Sequence, residues 1–251
     1  MKRTKLVNAA TVSMLLGLSA CASGTDAPRA SESPSATSPS VEVLDLSDCR
    51  EDVCEAPLEP GRYRATFYGR TLDFEISSPG WIWHYFYNFR FIADETPIEG
   101  LVTSDSINFL AHPRIAERDC EESADPSVGH SVDDLVSWLG AAPGLVVSEP
   151  MPVSVGGLDG FRLDLEIDPS WKRTCFFSEG MPAVPLVVHE AKWGAYHLAM
   201  FPGNSMRWYV LDAGGDVLII DIDDGPENLS RQELFATGTE IVESFQFSSK
   251  S

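Results

Sequence analysis

Residues Phe161-Arg162-Leu163-Asp164-Leu165-Glu166-Ile167 alternate apolar and charged without a break. A period of two belongs to a β-strand, whose successive side chains point to opposite faces. Phe161, Leu163, Leu165 and Ile167 are therefore expected on a buried face, and Arg162, Asp164 and Glu166 in water. Val153-Ser154-Val155 and the turn Gly156-Gly157-Leu158-Asp159-Gly160 complete a hairpin with this strand. A second hairpin is predicted over 62–68 and 71–76, turning at Gly69-Arg70. Further strands are expected at 107–111, 184–189, 196–201, 206–211 and 217–222, with Asp212-Ala213-Gly214-Gly215-Asp216 as the turn between the last two.

Helical signals are few. Ser131 caps an acidic first turn, Leu135, Trp138 and Leu139 follow at helical spacing, and Gly140 closes the segment. Residues 230–245 carry Leu234, Ile241 and Phe245 on one stripe. Many antiparallel strands with two helices make an α+β domain, mainly antiparallel β-sheet.

The N-terminus reads as an address. Lys2, Arg3 and Lys5 precede an apolar run from Leu6 to Leu18 that is too short to span a bilayer, and Leu18-Ser19-Ala20-Cys21 follows. This box resembles that of bacterial lipoproteins. The resemblance implies a signal peptide over 1–20, a diacylglycerol on Cys21, and attachment to the extracytoplasmic face of the cell membrane. Residues 21–47 are rich in Ser, Ala, Pro and Thr and offer no apolar face to offset the entropy of ordering, which predicts a disordered tether. The folded domain is expected over 48–248, about the size of one core.

Charge narrows the partners. The chain carries 18 basic and 38 acidic residues, and loss of 1–20 removes three of the basic ones. Such a surface repels phosphate backbones and anionic headgroups, so nucleic acid is no partner and membrane attachment falls to the lipid on Cys21. Apart from Cys21 there are four cysteines, Cys49, Cys54, Cys120 and Cys175, an even number suited to an oxidising compartment. Of the three pairings open to them, Cys49–Cys54 with Cys120–Cys175 is the one proposed. By chain entropy these bonds contribute about 2 and about 4 kcal/mol. The cysteines lack metal-ligand spacing, and no metal or cofactor is implied.

The densest local feature runs from Trp81 to Phe91, Trp-Ile-Trp-His-Tyr-Phe-Tyr-Asn-Phe-Arg-Phe. Read as one strand, it sets the odd positions in the core and His84, Asn88 and Arg90 on the other face. Trp81, Trp83, His84, Tyr85 and Tyr87 are the candidate ligand contacts, because Trp and Tyr rings offer flat surfaces with a polar tip. Asp221-Ile222-Asp223-Asp224-Gly225 lacks the glycine and glutamate positions of a calcium loop and reads as a strand end and turn. No nucleophile elbow, phosphate loop or His-Glu-x-x-His occurs. These signs favour a domain that binds a small molecule or envelope protein. The alternative is an extracytoplasmic hydrolase whose site gathers His84, His189 or His197 with nearby acids.

A wider resemblance rests on Gly61-Arg62-Tyr63-Arg64-Ala65-Thr66-Phe67, Phe74-Glu75-Ile76 with Pro79-Gly80-Trp81, Trp138-Leu139 with Pro143-Gly144-Leu145, Gly156-Gly157-Leu158-Asp159-Gly160, and Val242-Glu243-Ser244-Phe245-Gln246-Phe247. Together these segments resemble an uncharacterised group of actinobacterial secreted lipoproteins, and more distantly lipoproteins of PsbP-like α/β-sandwich form. The resemblance implies a fold and a compartment but no activity or ligand.

Overall fold

The computed structural model describes residues 42–46, 55–84, 88–91, 105–121, 123–191, 194–225 and 229–249; for 55, 67, 84, 88, 90, 189–191, 194–197 and 249 it describes the backbone only. In chain order the strands are β1 (Val43–Asp45), β2 (Glu55–Leu58), β3 (Gly61–Phe67), β4 (Arg70–Ile76), β5 (Trp81–His84), β6 (Asn88–Phe91), β7 (Ser106–Ala111) and β8 (Arg114–Ile115). Helix α1 (Val132–Ala141) is followed by β9 (Leu145–Val147), β10 (Met151–Val155), β11 (Leu158–Ile167), β12 (Val184–Ala191), β13 (Gly194–Met200), β14 (Ser205–Asp212) and β15 (Val217–Asp223). Helix α2 (Arg231–Glu243) and β16 (Gln246–Ser249) end the fold. The α+β class, mainly antiparallel sheet, is what the strand alternation predicts.

Strand β15 is buried at every position because both faces of its sheet are covered. That sheet runs β10-β11-β14-β15-β7-β6-β5-β2, with β9 also paired to β11. On one face Tyr209, Leu211, Ile220, Ile222, Ile107 and Phe109 share a core with helix α2 and with Tyr63, Leu72 and Phe74 of a four-stranded sheet, β1-β3-β4-β16. On the other, Leu163, Leu165, Trp208, Val210 and Ile219 pack with α1 and with Leu186, Val187 and Met200 of a three-stranded sheet, β13-β12-β8. Apolar side chains therefore alternate between two cores along each central strand.

Local chemistry explains the corners. Gly156 and Gly157 take φ of 57° and 83°, the positive values a two-residue hairpin turn requires, so the β10–β11 turn is shorter than the five residues expected. Gly160 lies inside β11, where a Cβ would meet the Val210 carbonyl oxygen at 2.0 Å. Both helices open with a complete capping box, Ser131 with Asp134 and Ser230 with Glu233. Helix α1 runs one residue past the glycine expected to close it.

Three expectations need correction. The aromatic run is a hairpin, not one strand: Trp81 faces Phe91 and Trp83 faces Phe89 across β5 and β6. Arg162, Asp164 and Glu166 are not all in open water, since the α2 side covers part of that face. Asp164 takes both Nε and Nη2 of Arg207 at 2.7 and 2.8 Å, and the guanidinium also lies 4.6 Å over the Phe235 ring. The tether's expected span also overlaps structured residues, because β1 lies within it. Cys120 and Cys175 are disulfide-bonded, with Cα atoms 5.4 Å apart. Cys21, Cys49 and Cys54 lie outside the described residues.

Candidate functional site

The aromatic candidates divide. Trp81 and Trp83 are 1% and 3% exposed, inside the core shared with α2. Trp83 stands 5.0 Å from the Phe89 ring and 5.9 Å from Phe74. These two rings are packing, not a ligand platform. Tyr85 and Tyr87 lie outside the described residues, and of His84, His189 and His197 only the backbone is described. The ladder sets His84 opposite Asn88 and Asn88 opposite Asn108.

A helix entry, the start of a strand and a turn meet elsewhere and leave a cleft of about 400 Å³. Its walls are the entry to α1 (His130, Ser131, Val132, Asp133), the start of β11 (Asp159, Gly160, Phe161) and the β14–β15 turn (Asp212, Gly215, Asp216, Val217). A smaller hollow of about 140 Å³ shares His130, Asp216 and Val217 and adds His112, Pro113 and Arg114 from the β7–β8 turn. Val132, Phe161 and Val217 give the cleft an apolar floor, continuous with the core behind α1. Asp133, Asp159, Asp212 and Asp216 give it four carboxylates.

Two of the acids there are placed by their local fold. The Asp212 carboxylate accepts the backbone amides of Gly214 and Gly215 at 2.8 and 3.0 Å, and those bonds lower its pKa, so it is ionised at neutral pH. Asp216 Oδ1 lies 3.2 Å from His112 Nδ1. His112 itself has φ of 52°, its amide bonded to the Val217 carbonyl, and its ring meets Tyr68 edge-on at 6.5 Å. Tyr68 also has a positive φ, 41°. Two non-glycine residues in left-handed conformation thus meet beside the smaller hollow, a strain that a fold keeps only where its surroundings enforce it. The serine in the lining is committed: the Ser131 hydroxyl donates to Asp134 at 2.6 Å and accepts its amide at 3.2 Å.

A second acidic group is closed to solvent. Asp221 is fully buried on β15, where Trp208 Nε1 and Asn108 Nδ2 donate to its two oxygens at 3.0 and 3.1 Å. Burial pushes its pKa well up, and the charge of Asp223 adds to the rise. Asp223, two residues on, is pushed up to about 7 by burial first and by the charges of Asp224 and Asp105 next. Asp105 uses one oxygen to accept the Leu229 amide at 2.7 Å, pinning the approach to α2. Sequence reasoning read these acids as a strand end because a charged residue in a strand ordinarily marks a wet face.

Among the described residues, no group of three or more His, Cys, Asp or Glu side chains is placed to hold a metal ion. None of the described helices is long and apolar enough to cross a membrane. The cleft carboxylates come from three separate segments of the chain. Comparison of the chain with protein-family models, with curated proteins and with solved structures gives no match.

Proposed function

We propose that this protein is a lipid-anchored binding domain on the extracytoplasmic face of the cell membrane, and that its cleft takes a cationic organic group carried on an apolar body. The observation that carries the ligand class is the lining: four carboxylates around a floor of Val132, Phe161 and Val217. An amine or guanidinium would find carboxylates on several sides, and its hydrocarbon part would cover the floor. The anchor reading is supported by the Leu18-Ser19-Ala20-Cys21 box and by the short apolar run before it.

Binding is favoured over hydrolysis by the same lining. His112 and Asp216 form a His–carboxylate pair, but the serine lining the cleft has its hydroxyl spent on the helix cap. A covalent acyl-transfer route therefore lacks its nucleophile at this serine and would leave His112 only water to activate.

Calorimetric titration of the full chain with agmatine, cadaverine and a neutral butanol control tests the ligand class. Agmatine or cadaverine is expected to bind with salt-sensitive affinity, and Asp159→Asn with Asp216→Asn is expected to weaken it roughly tenfold. Equal heats from butanol, or no change in the variant, would overturn it. Radiolabelled palmitate retained by Cys21→Ser would overturn the anchor reading separately.

A further inference from the structure

The seam between tether and domain carries an interaction site of its own. Strand β1 runs parallel to β3, with Val43 opposite Arg62, Leu44 opposite Tyr63 and Asp45 opposite Arg64. The Leu46 amide extends the pairing by donating to the Arg64 carbonyl at 2.7 Å. Leu46 is half-buried against the core, whereas Val43 and Leu44 remain 43% and 48% exposed. The arm is therefore held by main-chain pairing, one half-buried leucine and the attraction of Asp45 for Arg64. It is bound as a peptide ligand is bound to a sheet edge.

Two consequences follow from chemistry. Nothing in this pairing distinguishes the arm of one chain from the same arm of another, so exchange between two copies conserves every contact. And β3 without an arm becomes the edge of its sheet, presenting unpaired amides and carbonyls that favour recapture of a strand. Residues 47–54, between arm and body, reach about 20 Å across the Cys49–Cys54 bond expected above, and about 30 Å if it is open. A domain of this size has a radius of gyration of about 16 Å, so a touching neighbour is within range.

We propose that the β3 edge is a strand-acceptor site for a second copy of this chain, and that neighbouring copies exchange their 43–46 arms into a reciprocal dimer. The exchange is independent of the cleft reading. It draws on the anchor reading only for local concentration, since confinement to one membrane lowers the cost of association.

The test uses two full-length variants, Val43→Cys and Arg62→Cys, which form the register pair only when one chain's arm lies on the other's β3. After mild oxidation of the mixed proteins in vesicles, peptide mass spectrometry is expected to find a 43–62 cross-link between two chains. Its yield should exceed that of the same mixture made with Cys21→Ser in dilute solution by roughly tenfold or more. Equal yields would preserve the exchange and count against the anchor's part in it. The double variant carrying both cysteines in one chain supplies the geometric control. If it cross-links within its own chain while the mixture gives no interchain product, the arm is a fixed intramolecular strand and the proposal fails. If the double variant gives no 43–62 bond at all, the pairing itself is wrong and the proposal fails with it.

Discussion

Asp223 stands on the penultimate strand with 8% of its surface exposed and its pKa raised to about 7. In the unfolded chain the same carboxyl titrates near its ordinary 3.8. Between those values the folded state holds a proton that the unfolded state has released, so folding is favoured at the acidic end and loses stability as pH rises through 7. Asp125, Asp134, Asp168 and Asp212 have lowered pKa values and act in the opposite sense, but only where carboxylates protonate, at lower pH. The urea midpoint is therefore expected to fall between pH 5 and pH 8, and Asp223→Asn to raise the pH 8 midpoint and flatten the slope. A midpoint that climbs over that interval would contradict this account. The burial of Asp221 and Asp223 was not legible in the sequence, because alternation reports which face is wet only when one face is wet. On a strand covered on both sides, a polar residue among apolar ones carries no sign of direction.

Glycines separate the elements that tolerate a side chain from those that do not. Gly160→Ala drives a methyl into the Val210 carbonyl in the β11–β14 ladder, and a loss of about 1–3 kcal/mol is expected in denaturant unfolding. Gly140→Ala in α1 meets nothing within 4 Å and should gain up to about 1 kcal/mol. Finding the two variants equally stable would undo the steric reading. Period and turn chemistry were enough to locate both hairpins, both helices, β7 and β12 to β15, but β1, β2, β8, β9 and β16, each four residues or fewer, are too short to show a period. They failed on the aromatic run, where rings at odd positions fit one long strand and a folded pair equally well. Trp81, Trp83, Phe89 and Phe91 share one face in either case, so side-chain periodicity could not reveal the reversal between them. The cleft was equally hidden. Its walls come from a helix entry, a strand start and a turn, and Asp133, Asp159 and Asp212 are far apart in sequence.

At the scale of the whole molecule, the Cys120–Cys175 bond ties the segment after β8 to the segment after β11 across a separation of 55 residues. The pair was legible because cysteine count and loop arithmetic leave few choices. Its surroundings reinforce it: the single Ser178 hydroxyl proton is shared between the Cys175 and Met181 carbonyls, at 2.8 and 2.7 Å, and the oxygen accepts the Cys175 amide at 3.0 Å. Replacing both cysteines by alanine is expected to cost about 4 kcal/mol, a fall in melting temperature of about 8–16 °C by scanning calorimetry. A shift under a degree would mean that the reduced chain is already constrained. Strand order, by contrast, was beyond the reach of local pattern, because β7 pairs with β15 and β4 with β16. That order also has a consequence in time. Leu110 must wait for Ile219 before the second edge of its strand is paired, an interval of roughly 5–20 s at ordinary rates of synthesis. Until then β5, β6 and β7 form a half-sheet with an open edge and an uncovered apolar face. A nascent chain halted in the β14–β15 turn would be sticky, whereas one released a few dozen residues later closes on itself.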